Sequence, residues 1–373
     1  MDYLKIFVLT GENSGDKLAS EVLNHLSKLI SVQIFGTGGE NLKRLGQVQY
    51  FKVEDLEIIG LDGLIKKSFF IFRVFLFLKN KLREIKPDVV LLVDYPGFNL
   101  KFAKVAKMSG FKVIYYIPPQ VWAWHWKRVK KLREFTDLVL SILPFEEALL
   151  KSEGINAKYV GNPALNRLKF YFEERLDFLE HLKLSKDSKI IGVLPGSRKR
   201  EINSLMPVIA KAANKLSNFT FLIAKADTIE KSLIESHIKN LSNVKVIEEL
   251  TYDIMKHSEL LWVCSGTATL EAALMRRPMI ILYKVSKVTY FLAKYFVTVK
   301  YIGLPNIILD GKFIPELLQG DCNDRNLVKT TMEMLENRDY FETTLRKISA
   351  LFSHKDSALI SAQEIYSHIK QYS

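Results

Sequence analysis

The sequence predicts an α/β protein with two doubly wound parallel sheets, one in each half of its 373 residues. Short apolar runs alternate with amphipathic segments throughout, which is the rhythm of β-α-β units. One run, Asp88–Val93 (DVVLLV), is almost wholly apolar, as expected of a strand at the centre of a parallel sheet. The rhythm starts again after Asn162-Pro163, and at roughly 150 residues per domain this length suggests two domains.

The first half opens with an apolar run that lacks the basic start and cleavage site of a signal peptide. A glycine-containing loop, Gly11–Asp16, follows it, and helices are predicted at Lys17–Ile30 and Asn99–Ser109. The segment Gly36–Gly39 (GTGG) does not match a dinucleotide-binding pattern and is interpreted as a turn. The predicted strands of this half are Leu4–Thr10, Val32–Phe35, Asp88–Val93, Val113–Ile117 and Asp137–Ile142.

The second half follows a Lys/Glu/Asp-rich stretch that ends near Ser188, so the domain boundary is expected between residues 163 and 188. A helix is predicted at Glu201–Leu216, and the pattern of Asn326–Ser373 is helical. The predicted strands of this half are Lys189–Leu194, Phe219–Ala224, Val244–Ile247, Leu260–Val263 and Met279–Tyr283.

Composition narrows the function. The chain is 48% hydrophobic, which excludes a disordered or collagen-like protein. It carries 54 Lys+Arg against 41 Asp+Glu, so its net charge of +13 favours an acidic partner: nucleic acid, anionic lipid or a phosphorylated small molecule. Two cysteines, Cys264 and Cys322, cannot form a disulfide framework, which indicates a reducing, cytosolic location. No uncharged apolar run reaches the ~18 residues of a membrane span.

Two strand-to-helix junctions in the second half are suited to phosphate. Ser265–Glu271 (SGTATLE) places a glycine and small hydroxyl residues at a helix N-terminus, where N–H groups and the helix dipole favour anions. Pro195–Arg198 (PGSR) is followed by a helix, and Arg198 suits a bidentate phosphate contact. Ser265–Glu271 is also compatible with an ordinary helix N-cap.

Asp94 ends the central strand of the first half and precedes Tyr-Pro-Gly-Phe-Asn. Ligands of parallel sheets lie beyond the carboxyl ends of the strands, and two such halves predict a cleft between them. A carboxylate at that position is placed to act as a general base, although an Asp before a proline turn is also common for structural reasons.

The sequence disfavours a metal site, and it lacks the common motifs of a catalytic nucleophile or a phosphate-binding loop. No Asp-X-Asp, no Cys-X-X-Cys, no Walker A motif and no Gly-X-Ser-X-Gly occurs, and the seven histidines are scattered. We therefore expect neither a metal nor an organic cofactor.

The segment Leu64–Lys86 combines a Phe-rich core with a basic fringe. This pattern favours a helix at the interface of an anionic membrane, and the alternative is a buried core helix with solvated ends. Further along, Trp122, Trp124 and Trp126 precede five cations, a pattern that also occurs in nucleic-acid platforms, but no nucleic-acid-binding module accompanies it. The predicted membrane-binding residues are Phe69, Phe70, Phe72, Arg73, Phe75, Phe77 and Lys79.

Eight motifs, in order along nearly the whole chain, resemble those of the lipid-A-disaccharide synthase family. They are GENSGD (11–16), KPDVVLLVDYPGFN (86–99), PPQVWAWHWKRVKK (118–131), ILPFEEALL (142–150), VGNP (160–163), LPGSRKREI (194–202), CSGTATLEAAL (264–274) and YIGLPNIILDGKFIPELLQ (301–319).

The resemblance implies an inverting glycosyltransferase of the GT-B architecture, with two Rossmann-like domains and no metal requirement. Its donor would be UDP-2,3-diacylglucosamine and its acceptor 2,3-diacylglucosamine 1-phosphate (lipid X). The products would be a β-1,6-linked disaccharide 1-phosphate and UDP, made during lipid A biosynthesis on the cytoplasmic face of the inner membrane of a Gram-negative bacterium. The implied domains are 1–165, which would bind acceptor and membrane, and 166–349, which would bind the UDP-sugar; a helix at 350–373 is expected to return to the first.

The resemblance also implies roles for individual residues. Asp94 would be the general base, Arg198 would neutralise the leaving diphosphate, and Glu271 would hold the ribose. The residues expected to bind the diphosphate are Ser265, Gly266, Thr267 and Thr269. Those expected to line the cleft or to face the sugars or acceptor phosphate are Asn306, Gln319, Glu12, Ser14 and Asp16.

Two positions depart from the family pattern. Gly97 stands where the second Asp of the family's DxPDFN segment is usual, which favours Asp94 as the sole base of its loop. Asn162 replaces the histidine of VGHP, so any role of that histidine is absent or is filled by the amide.

Two other classes of function remain open at this stage. One is a different UDP-sugar enzyme of the same architecture, such as the N-acetylglucosamine transferase of the peptidoglycan lipid precursor or a UDP-sugar epimerase. The other is a basic membrane- or nucleic-acid-binding protein without catalysis, which would leave Asp94 and the two phosphate-suited junctions unexplained.

Overall fold

The computed structural model describes residues 3–57, 64–121, 127–285, 300–352 and 356–371, and Trp122, Trp124 and Trp126 lie outside these ranges. The chain divides into two compact units. The first comprises Met1–Pro163 with Ser353–Ser373, and the second comprises Ala164–Phe352. The boundary therefore lies at the start of the predicted linker, whose residues form part of the second unit.

The N-terminal unit contains, among its described residues, one sheet of seven parallel strands in the order β3-β2-β1-β4-β5-β6-β7. Its strands are β1 (Leu4–Leu9), β2 (Val32–Gly38), β3 (Val48–Lys52), β4 (Val89–Val93), β5 (Lys112–Tyr116), β6 (Leu138–Ser141) and β7 (Ala157–Tyr159). Its helices are α1 (Asn13–Leu26), α2 (Glu40–Arg44), α3 (Val53–Glu57), α4 (Leu64–Ile85), α5 (Pro96–Met108), α6 (Lys127–Phe135) and α7 (Pro144–Ser152), with α17 (Ser357–Lys370) from the C-terminus.

The second unit contains six parallel strands in its described part, ordered β10-β9-β8-β11-β12-β13. Its strands are β8 (Ile190–Leu194), β9 (Thr220–Ala224), β10 (Val244–Ile247), β11 (Leu260–Cys264), β12 (Met279–Tyr283) and β13 (Glu316–Leu318). Its helices are α8 (Ala164–Arg167), α9 (Arg175–His181), α10 (Lys199–Lys215), α11 (Lys231–Glu235), α12 (Thr251–His257), α13 (Thr267–Leu274), α14 (Leu304–Ile308), α15 (Asp324–Glu336) and α16 (Arg338–Leu351).

Both sheets are doubly wound, as predicted. In each, the chain runs outward to one edge, returns to the centre and then builds the other edge, so the order reverses between β1 and β4 and between β8 and β11. All five residues of β4, of β8 and of β11 are buried, because helices cover both faces of the sheet. A doubly wound sheet opens a crevice where its order reverses, so each unit has one such point for a ligand.

Helix α1 begins at Asn13, four residues before the predicted start at Lys17. The N–H of Asp16 donates to the carbonyl of Glu12 at 3.1 Å, which closes the first helical turn inside the predicted loop. Ser14 and Asp16 therefore lie in the first turn of a helix and not in a loop. An acidic residue in that turn is favourable because of the helix dipole.

The predicted turn at Gly36–Gly39 is wrong over its first three residues, which continue strand β2. The pairing of β2 with β3 shifts register between Gly36 and Thr37, which marks a bulge. Gly36 has φ of 130°, and a Cβ atom at this position would lie 2.0 Å from the carbonyl oxygen of Val8. Glycine thus allows both the left-handed backbone and the close approach to β1.

The C-terminal helix α17 packs against α1 in the N-terminal unit. Asp356 caps it by accepting hydrogen bonds from the N–H groups of Ala358 and Leu359. The buried apolar residues of α17 recur at helical spacing and join the core of this unit: Ala358, Ala362, Ile365 and Ile369.

Helix α4 is amphipathic, and both interpretations of the Phe-rich segment apply to different faces of it. Val74, Leu78 and Leu82, spaced four residues apart, are buried in the core under the sheet. Phe69 is 64% exposed and Phe72 is 56% exposed on the opposite side. Within the described residues, no helix is both long enough and apolar enough to cross a membrane.

Candidate active site

The predicted site residues of the N-terminal unit lie where its strand order reverses. Strands β1 and β4 are parallel neighbours, with Leu9 opposite Leu92, so the loops that follow them leave the same edge of the sheet side by side. Asp94 follows β4, and Glu12 follows β1. They line one small concavity together with Gly11, Gly15, Val93 and Tyr95.

The backbone of Asp94 is held in an uncommon conformation. Asp94 has φ of 49° and Tyr95 has φ of 47°, so two consecutive non-glycine residues are left-handed. The carbonyl oxygen of Asp94 accepts hydrogen bonds from the Tyr115 hydroxyl at 2.7 Å and from Asn99 Nδ2 at 2.8 Å. Such conformations cost free energy and cluster at functional sites, where surrounding contacts maintain them.

Burial raises the pKa of the Asp94 carboxyl above its ordinary value, and the negative charge of Glu12 raises it further, while the N–H of Tyr95 opposes both effects. A carboxylate with a raised proton affinity in a concave site has the properties of a general base. Asp94 thus combines the strand-end position from which a general base was predicted with surroundings that raise its proton affinity.

The other predicted residues of this loop separate into two groups. Glu12 and Ser14 are exposed. Asp16 is only 1% exposed, and its two oxygens accept hydrogen bonds from the N–H groups of Gly39, Asn41 and Leu42 and from the Asn41 side chain. Asp16 therefore caps helix α2. Its buried carboxylate already accepts hydrogen bonds from the protein, which does not favour the predicted contact with sugar or phosphate.

The C-terminal unit has a pocket of about 320 Å³ where its own strand order reverses, between the ends of β8 and β11. Both phosphate-suited junctions of the sequence border it. The residues that line it are Leu194, Gly196, Ser197, Arg198, Glu201, Ala224, Ala226, Thr251, Cys264, Ser265, Gly266, Thr267, Ala268 and Glu271.

The loop after β8 presents Arg198 to this pocket, with its side chain 82% exposed. Glu201 shapes the loop, because its Oε2 accepts the N–H groups of Ser197 at 3.0 Å and Arg198 at 3.2 Å. Its Oε1 lies 3.5 Å from Arg198 Nη1. Gly196 has φ of 111°, and a Cβ atom there would lie 2.3 Å from Glu201 Oε2, so the turn requires glycine.

The loop after β11 places Gly266 and Thr267 at the N-terminus of α13, on the pocket wall. Ser265 also lines the pocket, and its hydroxyl donates to the carbonyl of Ile302 at 3.3 Å. Thr269 is fully buried and its hydroxyl donates to the carbonyl of Gly266 at 2.7 Å, so it stabilises the turn without reaching the pocket. The helix N-terminus and the exposed cation make this pocket suited to an anion.

Glu271 borders the pocket from the second turn of α13, of which it is the fifth residue. The Tyr252 hydroxyl donates to its Oε1 at 3.4 Å. Cys264 also borders the pocket, and burial raises the pKa of its thiol to about 12. The thiol is therefore protonated at neutral pH and is a poor nucleophile.

Asn306 and Gln319 lie outside the pocket lining. Asn306 is fully buried, and its amide makes hydrogen bonds with Phe313, Ile314 and Glu316. Gln319, with its amide oriented to satisfy its hydrogen bonds, pairs with the backbone of Val285 beyond β12. Asn306 ties helix α14 to the residues at the start of β13, and Gln319 ties the end of β13 to the backbone just after β12. These contacts do not support the predicted position of either side chain in a substrate cleft.

Glu201 and Tyr95 are the main residues that the sequence analysis missed. Glu201 is the third residue of α10, a position where a Glu side chain can accept the N-cap N–H, but Arg198 at the N-cap does not complete the sequence signature of a capping box. Tyr95 covers Gly11, at which a Cβ atom would lie 2.4 Å from Tyr95 Cγ. No local pattern reveals that contact, because the two residues are 84 positions apart in the chain.

In the part of the chain that the structure describes, no group of three or more His, Cys, Asp and Glu side chains is arranged to hold a metal ion. The positive charge at the pocket of the C-terminal unit is supplied by Arg198 and the N-terminus of α13.

The predicted membrane-binding residues also divide. Phe69, Phe72, Arg73 and Phe77 are exposed on α4, and Leu76 joins them. Phe70, Phe75 and Lys79 are half-buried. The Phe70 ring packs edge-on against Phe51, and the Phe75 ring packs against Phe98 and Phe102. These two rings anchor the helix, so the exposed apolar surface is Phe69, Phe72, Leu76 and Phe77, which we call the α4 face.

Comparison with known proteins gives a match along almost the whole chain. The sequence profile of the family described as lipid-A-disaccharide synthetase matches residues 6–367. A lipid-A-disaccharide synthase of a Sulfurihydrogenibium species is 39% identical over 364 residues, covering 92% of this chain and 92% of that protein. That of Persephonella marina is 36% identical over 378 residues, covering 97% and 98% respectively.

Solved structures with a similar fold are more distant in sequence. A putative UDP-N-acetylglucosamine 2-epimerase from Listeria monocytogenes has a TM-score of 0.65 at 14% identity, covering 100% of this chain and 97% of its own. Acinetobacter baumannii MurG has a TM-score of 0.59 at 13% identity, with 100% of both chains covered. These similarities, with the two parallel sheets, confirm the predicted GT-B fold class. Because the family profile matches residues 6–367 and these relatives are 39% and 36% identical, the chain belongs to the lipid-A-disaccharide synthetase family and is a glycosyltransferase of lipid A biosynthesis.

Proposed function

We propose that the protein transfers 2,3-diacylglucosamine from its UDP derivative to 2,3-diacylglucosamine 1-phosphate, forming a β-1,6 bond with inversion and releasing UDP. The observation that carries this proposal is the coincidence of family membership with a candidate site in each unit, at the point where the strand order of that unit reverses. Asp94 lies at one of these points, and the anion-suited pocket lies at the other.

The donor's diphosphate is assigned to the pocket of the C-terminal unit. Arg198 and the N-terminus of α13 would neutralise the negative charge that accumulates as the diphosphate leaves. Ser265 and Thr267 would contribute hydroxyl contacts, and Glu271, on the same wall, would accept hydrogen bonds from ribose hydroxyls. Two solved structures of similar fold are complexes with UDP or UDP-N-acetylglucosamine, which supports a uridine nucleotide as a ligand of this chain.

The acceptor is assigned to the N-terminal unit. Asp94 would take the proton from the 6-hydroxyl as its oxygen attacks the anomeric carbon of the donor from the face opposite the diphosphate. Direct displacement of this kind inverts the anomeric centre. The proposal needs no metal or organic cofactor, because a guanidinium and backbone N–H groups supply the charge stabilisation.

The test is incubation of the protein with both lipid substrates in the presence of EDTA, with UDP release as the readout. A parallel sample lacks lipid X. We expect UDP release that depends on lipid X and a product whose new bond is β-1,6 by NMR. Release without lipid X would indicate a hydrolase, and absence of release, or 2-epimerisation of the sugar, would refute the proposal.

We propose that the protein works on the inner face of the inner membrane of a Gram-negative bacterium, and the exposed surface of α4 supports the membrane contact. The α4 face is apolar, and the exposed cations Arg73 and Arg83 border it. Apolar side chains with a cationic fringe suit the headgroup region of an anionic bilayer, where acylated substrates reside.

Replacing Phe69, Phe72 and Leu76 with Ser is expected to weaken binding to anionic vesicles by roughly a hundredfold. Each side chain contributes on the order of 1 kcal/mol on partial burial, and 1.4 kcal/mol corresponds to a factor of ten. Vesicle sedimentation measures the binding, and thermal unfolding should show no loss of stability because these side chains are exposed.

A matched control replaces three exposed apolar residues of the other unit, Tyr171, Leu176 and Tyr340, with Ser. This control should bind vesicles as the unchanged protein does. Equal binding by the α4 variant and the control would contradict membrane docking through the α4 face.

A further inference from the structure

The loop that follows β4 carries a single carboxylate, Asp94. Gly97, in the first turn of α5, is exposed and offers no side chain, and a Cβ atom there would meet nothing within 4 Å. The position is therefore open space three residues after Asp94, and the residue that occupies it carries no charge.

The loop after β1 lies directly against the loop after β4. Gly11 is buried under Tyr95, and only glycine allows the ring to approach this closely. Because Glu12 follows Gly11 and Asp94 precedes Tyr95, this contact brings the two carboxylates to the same concavity. The tertiary structure thus joins two acids that are 82 residues apart in the chain.

The negative charge of Glu12 raises the proton affinity of its neighbours in this concavity. After burial, it is the second cause that raises the pKa of Asp94, and it also raises the pKa of Tyr95. The other groups that face Asp94 engage its backbone: Asn99 of α5 and Tyr115 of β5 donate to its carbonyl oxygen. From α6, the cation Arg128 acts on Tyr115 by lowering its pKa.

We propose that Glu12 supplies the second carboxylate of the Asp94 site, as a positioning residue whose negative charge favours transfer of the acceptor's proton to Asp94. This inference rests on the proposed function for its catalytic meaning. In the step, the acceptor O–H bond breaks and its proton passes to Asp94. The oxygen's electron pair forms the new bond to the anomeric carbon, and the bond to the diphosphate breaks with its electrons leaving on UDP. Glu12 bonds to neither substrate in this scheme.

The first measurement uses the protein without substrates, so that it does not depend on the proposed reaction. Aspartate side chains are labelled with ¹³C, and the Asp94 carboxyl is assigned by comparison with Asp94→Asn and titrated by NMR. In Glu12→Gln we expect the Asp94 titration to move to lower pH, because a repelling charge is removed. Glu21→Gln, in the helix that Glu12 precedes, is the matched control and should leave that titration unchanged.

The second measurement is the pH dependence of kcat/KM. Glu12→Gln should move the acid limb to lower pH, and adding Gly97→Asp should move it back, because a negative charge returns to the site from the other loop. If Glu12→Gln has no measurable turnover, recovery in the double variant supports the proposal and lack of recovery overturns it. An unmoved Asp94 titration in Glu12→Gln overturns it even if the wild-type protein proves inactive, and wild-type inactivity alone refutes only the proposed function.

Discussion

Asp94→Asn is expected to lower turnover about 10²- to 10⁴-fold, the usual contribution of a general base, while UDP binding stays unchanged. The substitution keeps the shape of the side chain and removes only its ability to accept the proton. The pocket proposed for the donor belongs to the C-terminal unit and is not lined by Asp94, so affinity for UDP is not expected to depend on this side chain. UDP release measures turnover, and calorimetry measures the dissociation constant for UDP.

The stability of Asp94→Asn provides a second readout. Because the folded-state pKa of Asp94 is raised, folding disfavours its charged form, and this cost is present at neutral pH and disappears as pH falls through the raised pKa. The neutral Asn variant should therefore unfold at the same or a higher temperature at pH 7. Loss of activity without loss of stability is the signature of a functional group rather than a structural one.

Asp88→Asn is the matched control, because Asp88 stands at the opposite end of the same strand region and accepts the N–H of Lys5 at 2.7 Å. It should keep wild-type turnover. Near-wild-type turnover of Asp94→Asn would show that another group is the base.

Arg198→Ala is expected to lower kcat/KM roughly 10- to 100-fold and to weaken binding of UDP. A hydrogen bond to a charged group contributes about 1.5–3 kcal/mol, and each 1.4 kcal/mol is a factor of ten. Stability should change little, because the side chain is 82% exposed and its ion pair with Glu201 spans 3.5 Å at the surface. Initial rates of UDP release and calorimetry with UDP measure the two effects.

Two further variants define the role of the guanidinium. Arg198→Lys should recover only part of the activity, because it restores the charge without the planar fork that matches a phosphate. Arg200→Ala removes an exposed cation two residues away that does not line the pocket, and it should behave as wild type. Equal losses of kcat/KM in Arg198→Ala and Arg200→Ala would mean that the net positive charge of this surface matters, and not a specific contact of Arg198 with phosphate.

Local pattern predicted the buried elements well. Strand Met279–Tyr283 has the predicted bounds, because a continuous apolar run ends where a buried strand ends. Strand Val244–Ile247 also has the predicted bounds, although it contains Lys245 and only Val244 is buried. The short strands β3, β7 and β13 were missed. They are three to five residues long and only partly buried, so they carry no apolar run that distinguishes them from loops.

Hydrogen bonds and burial at the site were less predictable. Asp16, Thr269 and Asn306 stand in motifs that resemble binding motifs, yet each is buried and its polar atoms bond to the protein. A motif shows which residue type stands at a position. It does not show whether a neighbour on another segment already uses that side chain.

From the sequence alone come the α/β rhythm, the two domains, the family, and the choice of Asp94 and Arg198, because these depend on periodicity and on motifs within short stretches of chain. The tertiary structure decided the strand order, and with it the position of each unit's candidate site at the point where the order reverses. It also placed Glu12 beside Asp94 and turned only one face of α4 outward. The physical reason is that strand pairing and side-chain packing join residues far apart in the chain. The local spacing of residues does not determine which distant residue each of them contacts.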